Sequence, residues 1–186
     1  MLEFLFPHQC KKFYFSKNFE REVLVLNKFI KFNDVIIDIG ANIGQYTYHF
    51  EKRKCTVFSF EPNTFPWKRL NNLFGESIQV TLLPFAVGPK TEVGKIVIPN
   101  SNGNLIHTRG TILNDIFENN SSIEQLVTIV ALDEILKLLQ VEKVNFIKID
   151  VEGAEMGVLK GANNTINNYK PTLLIEIEKN IRNSHL

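Results

Sequence analysis

The chain has 186 residues, 44% hydrophobic and 22% charged, the size and balance of one globular domain. Twenty-one basic and twenty acidic residues leave a net charge of +1, which excludes a chain-wide basic footprint for nucleic acid. No apolar run approaches the ~20 residues that a membrane span needs, and Cys10 and Cys55 fit neither a disulfide framework nor a zinc spacing, so a reducing, cytoplasmic setting is expected.

The opening MLEFLFPHQCKK is interrupted by Glu3, Pro7 and His8 and does not read as a signal peptide. Lys11, Lys12, Lys17 and Arg21 read as a solvated helix face. Phe19 to Phe32 carries apolar residues at helical spacing and predicts a lead-in helix within residues 1–33. Residues 34–186 form the main domain. Val35 to Ile39 is a short apolar run ending at Gly40, the pattern of a strand buried on both faces of a parallel sheet. A turn at Gly40–Gly44 leads into a helix over Ile43–Lys52, whose end is basic as the macrodipole favours.

Thr56–Phe60 is a second strand, ended by Glu61-Pro62, and Phe65–Phe74 a helix closed by Gly75. Ile78–Leu83 is a third strand. Val87–Pro99 reads as a loop and an antiparallel strand. Asn100 to Ser122 is rich in Asn, Ser, Gly and Thr and is expected to be a mobile, substrate-facing loop. Strands follow at Leu126–Val130, Val144–Asp150 and Thr172–Ile177. Helices are expected at Leu132–Leu139 and from Glu155 toward Ile166. The alternation predicts an α/β fold, a three-layer Rossmann-like sandwich around a mainly parallel sheet.

In such folds ligands bind beyond the carboxyl ends of the strands. The first such end is Asp38-Ile-Gly40-Ala-Asn42-Ile-Gly44. Its spacing is not the dinucleotide G-x-G-x-x-G, and an acidic residue precedes the first glycine. A pyrophosphate would be repelled by Asp38, whereas S-adenosylmethionine, with its ammonium and sulfonium, would be attracted. Glu61 ends the next strand and suits both ribose hydroxyls. Pro62 and Asn63 are expected to shape the adenosine pocket. Ala86, in the small-residue stretch Phe85–Gly88, is expected to border the adenine.

Four segments in order then resemble the FkbM-type methyltransferases: Asp38–Gly44, Phe60-Glu61-Pro62, Lys148-Ile-Asp150-Val-Glu152-Gly153-Ala-Glu155, and Leu174-Ile-Glu176-Ile. The resemblance implies a class I methyltransferase fold, S-adenosylmethionine as cofactor, and O-methylation of a hydroxyl on a sugar or other small molecule. A small-molecule or glycan acceptor, and no nucleic acid, is the expected partner. Class I folds continue past the fifth strand with a helix and an antiparallel strand pair. Only Glu178 to Leu186 remain here, so that pair is expected to be missing and a homo-oligomer contact is one way to complete the sheet.

Asp150, ending the fourth core strand, is the candidate that orients or deprotonates the acceptor, with Glu152 second and Glu176 third. Glu155 is expected to complement a helix dipole. Lys148 is expected either to pair with a site carboxylate or to form a structural ion pair. Asp150, Glu152 and Glu176 are also the candidates for a Mg²⁺ ion, although no spacing demands one and no metal is predicted. His107, Thr108 and Arg109 read as exposed loop residues. Two other readings stand beside the enzyme: a non-catalytic or truncated cofactor-binding module, and an NAD-dependent oxidoreductase, against which Asp38 and the glycine spacing count.

Overall fold

The computed structural model describes residues 24–101, 104–105 and 122–177. In chain order the first half contains β1 (Val35–Ile39), α1 (Gln45–Lys52), β2 (Thr56–Phe60), α2 (Thr64–Phe74) and β3 (Val80–Leu83). A second group of strands follows: β4 (Ala86–Gly88), β5 (Glu92–Ser101), β6 (Asn104–Leu105) and β7 (Ser122–Ala131). The last elements are α3 (Leu132–Leu138), β8 (Phe146–Ile149), α4 (Glu155–Gly161), α5 (Asn163–Tyr169) and β9 (Thr172–Ile175).

One sheet has the order β3-β2-β1-β8-β9, and every pairing within it is parallel. Its strands are short apolar runs because both faces are covered. On one face Ile37, Ile39, Ile147 and Ile149 pack with Leu132 and Leu136 of α3 and Val158 of α4. On the other, Ile36, Val57 and Phe146 pack with Phe50 of α1 and Leu70 and Phe74 of α2. Each such buried side chain contributes roughly 1.5–3 kcal/mol of transfer free energy. The result is the Rossmann-like α/β sandwich that the strand-helix alternation predicts.

The second sheet has the order β4-β7-β5-β6. The antiparallel strand expected after Val87 is β5, but β4 and its parallel pairing with β7 carry too few residues to show a period. β3 starts at Val80 rather than Ile78, because Ile78 is fully exposed in the preceding bend. The helix expected from Glu155 breaks at Ala162 into α4 and α5. Asp133 of α3 stabilises the break: it accepts from the Asn164 and Thr165 amides at 2.8 Å and so caps α5 from outside.

Leu24–Leu26 is helical and Asn27–Phe29 turns, so the expected lead-in helix stops at Leu26 and does not reach Phe32. Residues 1–23 with the basic cluster, most of the loop between Asn100 and Ser122 with His107, Thr108 and Arg109, and Glu178–Leu186 lie outside the described residues. Among the described residues no strand pairs with the outer edge of β9.

Candidate active site

The order in which strands are laid down reverses between β1 and β8, all of them parallel: β2 and β3 extend to one side, β8 and β9 to the other. Such a switch point opens a crevice at the strands' carboxyl ends. A cleft of about 620 Å³, counting its open mouth, lies there. Gly40 and Asn42 line it from the β1 end, Glu61, Pro62 and Asn63 from the β2 end, and Asp150 and Glu152 from the β8 end. Phe85, Ala86 and Ile96 close it on the side of the second sheet.

The glycines of the first loop answer to packing. Gly40 has φ +75°, and a Cβ there would stand 1.8 Å from the Asp150 carbonyl oxygen. Only glycine allows the ends of β1 and β8 to approach so closely. Gly44 has φ +88°, and its Cβ would meet Leu70 and Phe74 of α2 at 2.7 Å. Gly44 therefore seats α2 rather than the strand that precedes it, and it does not line the cleft.

Asp38 also stands behind the cleft, fully buried. It accepts from Thr47 Oγ1 at 2.7 Å, and Thr47 in turn hydrogen-bonds Ser59 at 3.0 Å. The register sets Asp38 opposite Ser59 on β2 and opposite Lys148 on β8. Burial pushes the Asp38 carboxyl up, against the opposing pull of Lys148 and the Thr47 hydroxyl. The cation that Asp38 faces in this structure is thus Lys148, whose Nζ lies 3.6 Å from Oδ1.

Glu61 is buried but reaches the wall. Its two oxygens accept from the Asn42 and Asn63 amides, each at 2.8 Å. Burial pushes its carboxyl up to about 7, and those two amide bonds oppose the shift. Asn63 caps α2, its Oδ1 accepting from the Phe65 amide at 3.2 Å. Asn42 holds φ +51° between the glycines, which points its amide at Glu61.

Asp150 directly follows β8, its side chain 28% exposed, with Oδ2 3.3 Å from Lys148 Nζ. Glu152 and Gly153 have φ +54° and +104°, a tight turn that brings Glu152 to the same cleft. Glu155 accepts from the Gly153 amide at 2.8 Å, at the start of α4. Glu176 is not brought into this cleft: it is exposed beyond β9, beside a second cavity shared with Tyr46 and Lys148. Among the described residues no group of three or more His, Cys, Asp or Glu side chains is placed to hold a metal ion.

Gln125 of β7 carried no signal in the sequence, because its partners lie about sixty residues away. Its amide nitrogen donates to the Pro62 carbonyl at 2.8 Å and its oxygen accepts from the Thr64 amide at 3.2 Å. It thereby fastens the β5–β7 hairpin to the loop after β2, and Ile96 of β5 reaches the cleft. Thr47 and Ser59 were likewise unread: a lone hydroxyl in an apolar helix or strand has no distinguishing period.

A parallel sheet of order β3-β2-β1-β8-β9 with helices on both faces and a cleft at its switch point is a Rossmann-like fold of the methyltransferase type. The chain belongs to the FkbM methyltransferase family: the family model described as "Methyltransferase FkbM domain" matches residues 38–185. It is 31% identical over 151 residues to the hexuronic acid methyltransferase AglP of Haloferax volcanii. That match covers 80% of this chain and 58% of AglP, so the chain spans little more than half the length of this relative. No solved structure matches it significantly.

Proposed function

We propose that this chain binds S-adenosylmethionine in the cleft between β1, β2 and β8 and methylates an oxygen of a sugar or other small molecule. The observation that carries the reading is the charge of the wall. Among the described residues, every charged one lining the cleft (Glu61, Asp150 and Glu152) is acidic. Such a wall attracts a cofactor bearing an ammonium and a sulfonium and repels a pyrophosphate, which counts against a nicotinamide cofactor. The name of the AglP relative supports a saccharide acceptor, a uronic acid being the first to try.

S-adenosylmethionine, when bound, supplies a methyl group already activated for transfer to an oxygen lone pair. Glu61 accepts from ribose hydroxyls, held ready by the Asn42 and Asn63 amides. Pro62, Asn63 and Ala86 border the adenosine, with Ile96 opposite. Asp150 orients the acceptor hydroxyl and takes its proton as the new bond forms, and Glu152 is the second carboxylate within reach. Alignment of this kind lowers a barrier by up to ~7–11 kcal/mol, and a base adds ~10²–10⁴-fold. A second copy of the chain pairing with the outer edge of β9, which no described strand covers, belongs to the same reading.

Calorimetric titration with S-adenosylmethionine and S-adenosylhomocysteine tests the cofactor. A panel of glycosides and uronic acids, screened by mass spectrometry for the gain of one methyl group, tests the acceptor. Absence of binding at hundreds of micromolar would sink the reading. Cofactor binding without transfer to any hydroxylated acceptor would reduce the chain to a binding module. Light scattering showing only monomer would remove the second copy.

A further inference from the structure

Lys148 is a buried lysine that the chemistry above leaves without a task. Its side chain is 4% exposed. Its ammonium donates to the Gly40 carbonyl at 2.7 Å. The same nitrogen lies 3.3 Å from Asp150 Oδ2 and 3.6 Å from Asp38 Oδ1, and 5.2 Å from the centre of the Tyr46 ring. Glu176 borders the cavity on its other side. These groups come from β1, from the loop after β8, from α1 and from beyond β9.

Two of the partners, Gly40 and Asp150, stand on the wall of the cofactor cleft. Lys148 itself does not. A lysine has three N–H donors and no acceptor, and here they span a carbonyl on the β1 loop and carboxylates on each side of it. Asp38 Oδ1 makes no hydrogen bond in the structure, so the Lys148 charge is its main compensation. A plain counterion for Asp38 would need none of the other contacts.

We infer that Lys148 is a positioning residue: from behind the cleft it ties the Gly40 carbonyl to Asp150 and so holds the two walls between which the cofactor sits. This rests on the cofactor reading given above. The role is separable from charge balance, because Asp38 can be neutralised independently. Lys148→Met alone strands a buried carboxylate and is expected to lower the melting temperature sharply. The double variant Asp38→Asn/Lys148→Met removes both charges, and its melting temperature is expected to return toward that of Asp38→Asn.

The measurement is S-adenosylhomocysteine affinity by calorimetry, on wild type, Asp38→Asn and the double variant, beside their melting temperatures. The double variant is expected to bind roughly tenfold or more weakly than Asp38→Asn although its stability has recovered, the loss that goes with one charge-assisted hydrogen bond. Equal affinity of the two would reduce Lys148 to a counterion and overturn the assignment. Loss of binding already in Asp38→Asn would overturn it too, by giving the role to Asp38. A wild type that does not bind removes the cofactor reading itself, which is distinguishable because no variant is then needed.

Discussion

Replacing Glu61 by Gln probes the cofactor wall directly. In the folded chain burial holds this carboxyl at about 7, against an ordinary value of 4.5. Its folded value is raised, so between those limits the native state carries more protons than the unfolded one. Stability attributable to Glu61 is then full at low pH and declines as pH rises through the window, by at most about 3 kcal/mol for the 2.5-unit difference. Ribose hydroxyls donate to the ionised form, so cofactor binding has the opposite slope. With a titration near 7, about a tenth of the sites are ionised at pH 6 and nine tenths at pH 8, and the affinity for S-adenosylhomocysteine is expected to be roughly tenfold weaker at the lower pH. Calorimetry in two buffers of different ionisation enthalpy would also count the protons released. Glu61→Gln is expected to weaken binding by about 1.5–3 kcal/mol and to flatten the dependence between pH 6 and 8. A wild-type affinity that does not change over that range, or a Gln variant that keeps the full slope, would refute the assignment.

Gly40→Ala places a Cβ against the Asp150 carbonyl at positive φ, and denaturant unfolding is expected to show a loss of roughly 2–5 kcal/mol. Asp150→Asn is expected to lower turnover by ~10²–10⁴-fold on an acceptor found by the methylation screen; a fall of less than tenfold in the methyl-transfer assay would remove Asp150 as base. Gln125→Ala deletes both bonds from the hairpin to the loop after β2, costing about 1–3 kcal/mol in total, and hydrogen exchange should show faster exchange at the Thr64 amide. Cys55 is fully buried with its thiol pushed up to about 11, so alkylation mapped by mass spectrometry should reach it only when the protein is denatured.

The central strands were legible because a strand covered on both faces is written as a nearly continuous apolar run, and Ile36 to Ile39 or Phe146 to Ile149, each broken by one charged residue, can be read that way. The cleft residues were legible because the fold fixes where ligands sit, so Glu61 and Asp150 stand out as the polar residues following such runs. Long-range partnership was not legible. Asp38 reads in isolation as a ligand contact, yet strand pairing sets it opposite Lys148, more than one hundred residues away. Gly44 is visible in the sequence only as the end of a loop, whereas the neighbours that exclude a side chain there come from α2. Glu176 follows the last strand as Asp150 follows β8, yet β9 lies at the sheet edge and carries it to another surface. Short β4, three residues long, offers no period to read.

The pairing of Asp38 with Lys148 has a bearing on how the chain assembles. Side chains along a strand alternate, so sliding β8 past β1 by one residue would turn Lys148 to the opposite face, among Ile37 and Ile39. A mostly aliphatic strand such as Phe146–Ile149 has little else to tell one alignment from the next. The misaligned sheet would bury a lysine in hydrocarbon and leave Asp38 with its Thr47 hydrogen bond but no cation. The ion pair thus favours the native strand alignment over its one-residue slip.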